Sequence, residues 1–225
     1  MGPNKSLIAE IISKLTSTYG EKKLPAKHIA PLDELIFTIL SQNTNDVNRD
    51  RAYANLRRLY PTWDAVLAAT PEQIEPAIRV GGLSRQKSVR IHKILGEIKQ
   101  QHGSLSLDFL HSWEMDAIHD YLIQLKGVGE KTVACVLLFS LGMPALPVDT
   151  HVHRVAQRLG LVTTGANEKK TMELLLAQVP PSGRYAFHVL LIQHGRTICQ
   201  ARKPDCSNCV LLSICPFGKK LVSEP

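Results

Sequence analysis

No apolar run in this chain approaches the roughly 20 residues that a membrane-spanning helix needs. The opening Met1-Gly2-Pro3-Asn4-Lys5-Ser6 lacks the basic segment and long apolar stretch of a secretion signal, so a cytoplasmic protein is expected. Alternating apolar runs joined by a hairpin turn are missing, which argues against strands. There is no internal repeat and no low-complexity tract, and the composition is neither collagenous nor disordered. Cysteines are few, five in all, and they are placed too unevenly for a secreted disulfide scaffold. What remains is a chain of 225 residues that is 44% hydrophobic, enough for one large domain or two small ones. Its 27 Lys and Arg exceed its 20 Asp and Glu, and the resulting +7 points weakly to a polyanionic partner.

The strong periodicities are helical, and an all-α fold of about ten helices is expected. Ile8, Ile11, Ile12 and Leu15 make one face of a helix over Pro3–Tyr19 that Gly20 would stop. Pro31–Leu40 carries Leu32, Leu35, Ile36 and Ile39 at the same spacing. Asn45–Leu59 is charged, with Val47, Ala54 and Leu56 expected to turn inward. Thr62 and Thr70 precede helix starts, the second followed by Pro71 at the first helical position. Leu83–Gln101 carries Lys87, Arg90 and Lys93, by default a solvated face, and ends before Gly103. Further helices are expected over Ser112–Leu125, Glu130–Leu141, Asp149–Leu159, Glu168–Val179 and Arg184–Gln193. Pro144 and Pro147 make the segment between Gly142 and Pro147 the best internal boundary.

Two features carry chemistry. Leu125-Lys126-Gly127-Val128-Gly129-Glu130-Lys131-Thr132 lies between two helical patterns. Its glycines permit a tight turn, and the helix that follows would aim unpaired N–H groups at an anion such as a phosphate. A plain connector with glycine caps fits the spacing equally well. The second feature is Cys199-x6-Cys206-x2-Cys209-x5-Cys215. Four thiolates this close can hold tetrahedral zinc or a [4Fe–4S] cluster. Cys206 and Cys209 form a CxxC pair, and the wider flanking spacings favour the larger object. Cys135, among Val133, Val136 and Leu137, reads as a small core residue.

Taken with Leu40-Ser41-Gln42-Asn43-Thr44, the run from Pro147 through Asp149 to Val155, and His194-Gly195-Arg196, these features resemble an endonuclease III-type DNA glycosylase of the helix-hairpin-helix superfamily. The resemblance runs from about Pro31 to Cys215. It implies a six-helix barrel domain over residues 24–143, with the helix-hairpin-helix at about 122–142. It implies a second domain from residues 1–23 and 144–225 that holds a [4Fe–4S] cluster on a loop at 199–215. Double-stranded DNA containing damaged bases or abasic sites would bind a monomer in a groove between the domains, with the target base flipped out.

By that resemblance the enzyme is a bifunctional N-glycosylase and abasic-site lyase that removes oxidised pyrimidines. Lys131 is its nucleophile and Asp149 the carboxylate that stabilises charge developing on the sugar. Asp149 is also a good N-cap for the helix after it, and the two roles are compatible. Cys199, Cys206, Cys209 and Cys215 are the cluster ligands. Gln42, Asn43 and Leu83 would fill the gap left by the flipped base. Lys126, Gly127, Val128, Gly129, Thr132, His151, Arg154, Arg202 and Lys203 would touch the DNA. Many relatives carry a bulky apolar residue where this chain has Gly81, so a wedge at Leu83 would differ in shape. Two alternatives stay open. A monofunctional mismatch glycosylase would lack the hairpin lysine, and the adenine type would need a further domain beyond Pro225. A non-catalytic iron–sulfur DNA-binding module would bind DNA without releasing base.

Overall fold

The structure, a computed structural model, describes residues 3–223. It is all-α, with no strand among the described residues, and none of those helices is long and apolar enough to cross a membrane. The chain forms two compact units, Lys27–Leu141 and Met1–Ala26 with Gly142–Pro225.

The unit Lys27–Leu141 contains α2 (Pro31–Ser41), α3 (Asp46–Leu59), α4 (Trp63–Ala68), α5 (Pro71–Ile78), α6 (Ser84–His102), α7 (Met115–Gln124) and α8 (Glu130–Cys135). Its core comes from helical stripes: Leu32, Leu35, Ile36 and Ile39 on α2 and Ile91, Ile94, Leu95 and Ile98 on α6 are all buried. Helix starts follow local chemistry. The side chain of Thr62 accepts from the N–H of Ala65, and Thr70 makes a reciprocal box with Gln73. Gly103, left-handed at φ 70°, closes α6.

Three expectations are corrected here. On α3 the inward pair is Ala52 and Leu56, while Val47 is 67% exposed and Ala54 is exposed as well. At 100° per residue Ala52 and Leu56 share a face that Val47 and Ala54 lie off. The helix expected over Ser112–Leu125 is confined to α7, behind a 3₁₀ turn at Asp108–Ser112. The helix expected over Glu130–Leu141 is α-helical only to Cys135, then widens into a π-helical turn at Val136–Ser140, where the Leu141 N–H reaches the Val136 carbonyl.

The second unit contains α1 (Pro3–Tyr19), α9 (Thr150–Arg158), α10 (Glu168–Gln178), α11 (Arg184–Thr197) and α12 (Pro216–Ser223), the last not expected from the sequence. Ile8, Ile11 and Leu15 of α1 pack with Val152 and Val155 of α9 and Phe187, Leu190 and Leu191 of α11. α11 continues past Gln193 through Gly195. A Cβ on Gly195 would lie 3.1 Å from the Cβ of His151, so the missing side chain lets α11 and α9 approach closely.

Candidate active site and nucleic-acid interface

In the unit Lys27–Leu141 the chain leaves α7 with Leu125 buried and turns at Gly127, whose φ is +87°. The N–H of Val128 closes the turn on the carbonyl of Leu125 at 2.9 Å, and its side chain is buried. Gly129 is the N-cap of α8, and its carbonyl accepts from the N–H groups of Thr132 and Val133. The side chain of Thr132 is buried, and its N–H bonds the carbonyl of Gly129 at 2.8 Å. Lys126 is exposed. The two glycines differ in kind. A Cβ on Gly127 would collide with the side chain of Arg90, whereas a Cβ on Gly129 would meet nothing within 4 Å.

Lys131 lies in the first turn of α8, half-buried, with Nζ 3.4 Å from Oγ of Ser41. Ser41 donates to the carbonyl of Thr38 at 2.7 Å, and the hydroxyl of Thr38 donates to Oε1 of Glu34 at 2.9 Å. Glu34, Thr38 and Ser41 therefore form a polar stripe at i, i+4 and i+7 on a mostly apolar helix. Glu34 is only 5% exposed, and its carboxyl is pushed up to about 7 by burial, against the opposing pull of Thr38, Lys131 and Arg49. The sequence reading missed this acid. Its signal was a polar residue recurring at helical period inside a mostly apolar helix.

Gln42 caps α2 in an extended conformation, and Asn43 follows, exposed and left-handed at φ 52°. Leu83 is also left-handed, at φ 50°, and 45% exposed. It is not a core contact; it presents an apolar side chain to solvent beside Gly82. Gly81 is buried, where a Cβ would lie 3.1 Å from that of Ala52. Lys87 is neither solvated nor free for a phosphate. It is 2% exposed, with Nζ 2.8 Å from each of the carbonyls of Leu40 and Gly81. Arg90 donates to Oε1 of Gln42.

In the second unit, His188 bonds the carbonyl of Pro147 at 2.8 Å and Val148 is buried, which fixes the chain entering α9. Asp149 caps that helix. Its Oδ1 accepts from the N–H groups of His151 at 2.9 Å and Val152 at 2.8 Å. The next residues point apart, with Nδ1 of His151 on Arg154 and Nδ1 of His153 on Thr171. Burial lowers the pKa of His151. Arg154 donates to the carbonyls of Cys199 and Gly195, so its guanidinium tethers the start of the cysteine loop. Arg202 and Lys203 are exposed on that loop.

Cys199, Cys206, Cys209 and Cys215 line one cavity, with Leu159, Ile198 and Leu211 among its apolar walls. None is in a disulfide. Burial, then their mutual charge, pushes the thiols of Cys206 and Cys209 up. Arg158 places Nη1 3.3 Å from Sγ of Cys199 and donates to the carbonyls of Gln200 and Ala201. Among the described residues no group of three His, Cys, Asp or Glu is close enough to hold a single ion. The four sulfurs that line the cavity are the donor set that either tetrahedral zinc or a four-thiolate cluster would use.

The model of the HhH-GPD superfamily of base excision DNA repair proteins matches residues 36–181. The chain belongs to this superfamily, as a DNA glycosylase of endonuclease III type. It is 40% identical over 194 residues to a presumptive DNA glycosylase of Arabidopsis thaliana, covering 86% of this chain and 60% of that longer protein. It is 35% identical over 201 residues to endonuclease III of Thermotoga maritima, covering 88% and 90% of the two chains. The solved structure of a trapped covalent endonuclease III–DNA intermediate superposes with a TM-score of 0.82 at 29% identity, covering 97% of this chain and 98% of that one.

Proposed function

We propose that the protein removes oxidised pyrimidines from duplex DNA and then cleaves the abasic strand. The observation that carries this reading is Lys131, a primary amine in the first turn after the glycine hairpin whose hydrogen-bond partner is a hydroxyl, that of Ser41. As a neutral amine it attacks C1′ of the damaged nucleotide while the bond from C1′ to the base breaks, the base leaving with the electron pair and taking up a proton. Opening of the sugar gives an iminium at C1′. Loss of a C2′ proton then expels the 3′ phosphate, and water releases the lysine. Asp149, fixed by its cap bonds through Oδ1, supplies negative charge for the cationic sugar. The likeness to a relative trapped as a covalent DNA intermediate supports the same course.

DNA would be held by the hairpin backbone, where the open space at Gly129 admits a phosphate, by Lys126, and by Arg202 and Lys203. Gln42, Asn43 and Leu83 would fill the gap in the duplex. Cys199, Cys206, Cys209 and Cys215 would hold a [4Fe–4S] cluster, which when bound cross-links the loop that carries Arg202 and Lys203.

Duplexes carrying single thymine glycol, dihydrouracil or mismatch lesions, scored separately for free base and for nicking, test the reading. Borohydride should trap a protein–DNA adduct with the native protein and none with Lys131→Ala. Base release without an adduct would indicate a monofunctional enzyme, and tight binding without base release a non-catalytic module.

A further inference from the structure

Arg90 joins two parts of the site that the sequence separates. Its guanidinium donates to the side-chain oxygen of Gln42, just past the end of α2. Its shaft lies against the hairpin turn. A Cβ on Gly127 would fall 2.6 Å from Cδ of Arg90 and 2.7 Å from Cζ, so the arginine occupies the space that the glycine leaves. Lys87, one turn earlier on the same face of α6, bonds the carbonyl of Leu40. Two successive turns of α6 thus hold the end of α2, and the second of them also lies on the hairpin.

We propose that Arg90 is a positioning residue that keeps Gln42 in register with the hairpin carrying Lys131, so that the gap-filling side chain and the nucleophile engage DNA as one unit. The inference rests on the function proposed above. An arginine suits the task because its planar, multi-donor head bonds the amide while its flat face covers the glycine. Lysine can supply the bond but cannot cover the turn.

The role is tested by the rate of β-elimination at one abasic site, presented in duplex and in the same strand alone, since only the duplex leaves a gap to fill. The readout is the ratio of the two rates, measured on variants whose thermal melting shows a cooperative fold. Arg90→Ala should lower the ratio about ten-fold, the size of one hydrogen bond to a charged group. Gln42→Ala should lower it similarly, the double variant should be no worse than either, and Arg90→Lys should recover part of the loss. An unchanged ratio in Arg90→Ala, or losses that add in the double variant, would overturn the inference. If the native protein eliminates on neither substrate, the lysine mechanism itself has failed, which is a different result.

Discussion

Nζ of Lys87 lies 2.8 Å from the carbonyl oxygen of Gly81, and an equal distance from that of Leu40. One buried amine thereby ties the turn before Leu83 to the end of α2 before Gln42. Burial lowers its pKa from 10.5 to about 8, and a neutral amine still donates two hydrogens to the two carbonyls. Lys87→Met keeps the volume and orphans both carbonyls, so stability should fall by about 2 kcal/mol or more. Because the folded value lies below the unfolded one, the native protein should also gain stability over this variant as pH rises from about 8 towards 10.5. Denaturant melts across that window check both effects.

Glu34 gives the opposite dependence. Its folded pKa of about 7 is above the ordinary 4.5, so its contribution is fully present below 4.5 and is lost as pH rises through 7. Glu34→Gln keeps an oxygen to accept from Thr38 and cannot ionise. The variant should match the native protein near pH 4.5 and exceed it by up to about 3 kcal/mol well above pH 7, at 1.36 kcal/mol per pKa unit. A variant weaker by the same amount at both ends would show that the acid is not held neutral by burial.

These two residues mark the boundary of what could be read from the sequence. Caps and stops at Thr62, Thr70, Gly103 and Asp149 were legible because a cap is chemistry between neighbours within one turn. The hairpin was legible for the same reason. Lys87 read as a solvated charge because its carbonyl partner on Leu40 lies 47 residues away, and no local pattern announces that burial. Val47 and Ala54 misled because a charged helix has few apolar residues with which to fix its phase. Leu83 could be placed on a glycine-rich tip, but no local pattern announces its left-handed backbone or its exposure.

The hairpin glycines should respond differently to alanine. At Gly127 the φ of +87° and the collision with Arg90 both oppose a side chain, so Gly127→Ala should lose about 1 kcal/mol or more of stability. At Gly129, with φ −117° and open space, Gly129→Ala should leave stability nearly unchanged. If DNA backbone approaches there, Gly129→Ala should still weaken binding to abasic duplex. Calorimetry and a binding titration on the same samples separate the two effects, and native affinity in Gly129→Ala would place the phosphate elsewhere.

The cysteine cavity makes a prediction independent of DNA. Native protein isolated without chelators should contain iron and acid-labile sulfide in equal amounts and absorb visible light. Cys209→Ser should lose that absorbance and loosen the loop from Cys199 to Cys215, raising its proteolysis, because the loop's packing is centred on the cavity its four sulfurs line. A colourless native protein with one zinc per chain and full activity would reject the cluster.

Asp149 performs two tasks that substitution can divide. Its Oδ1 caps α9 through two N–H groups, a task asparagine also does well. Asp149→Asn should therefore stay within about 0.5 kcal/mol of native stability, while Asp149→Ala should lose about 1 kcal/mol with the cap. Only the charge can stabilise a cationic sugar. Excision in single-turnover assays should fall by about a hundred-fold or more in both variants, the scale of one preorganised electrostatic contact. Duplex affinity should hold in Asp149→Asn. If that variant excised at the native rate, the cap would be the whole role of Asp149, and the charge opposing the sugar would have to come from another group.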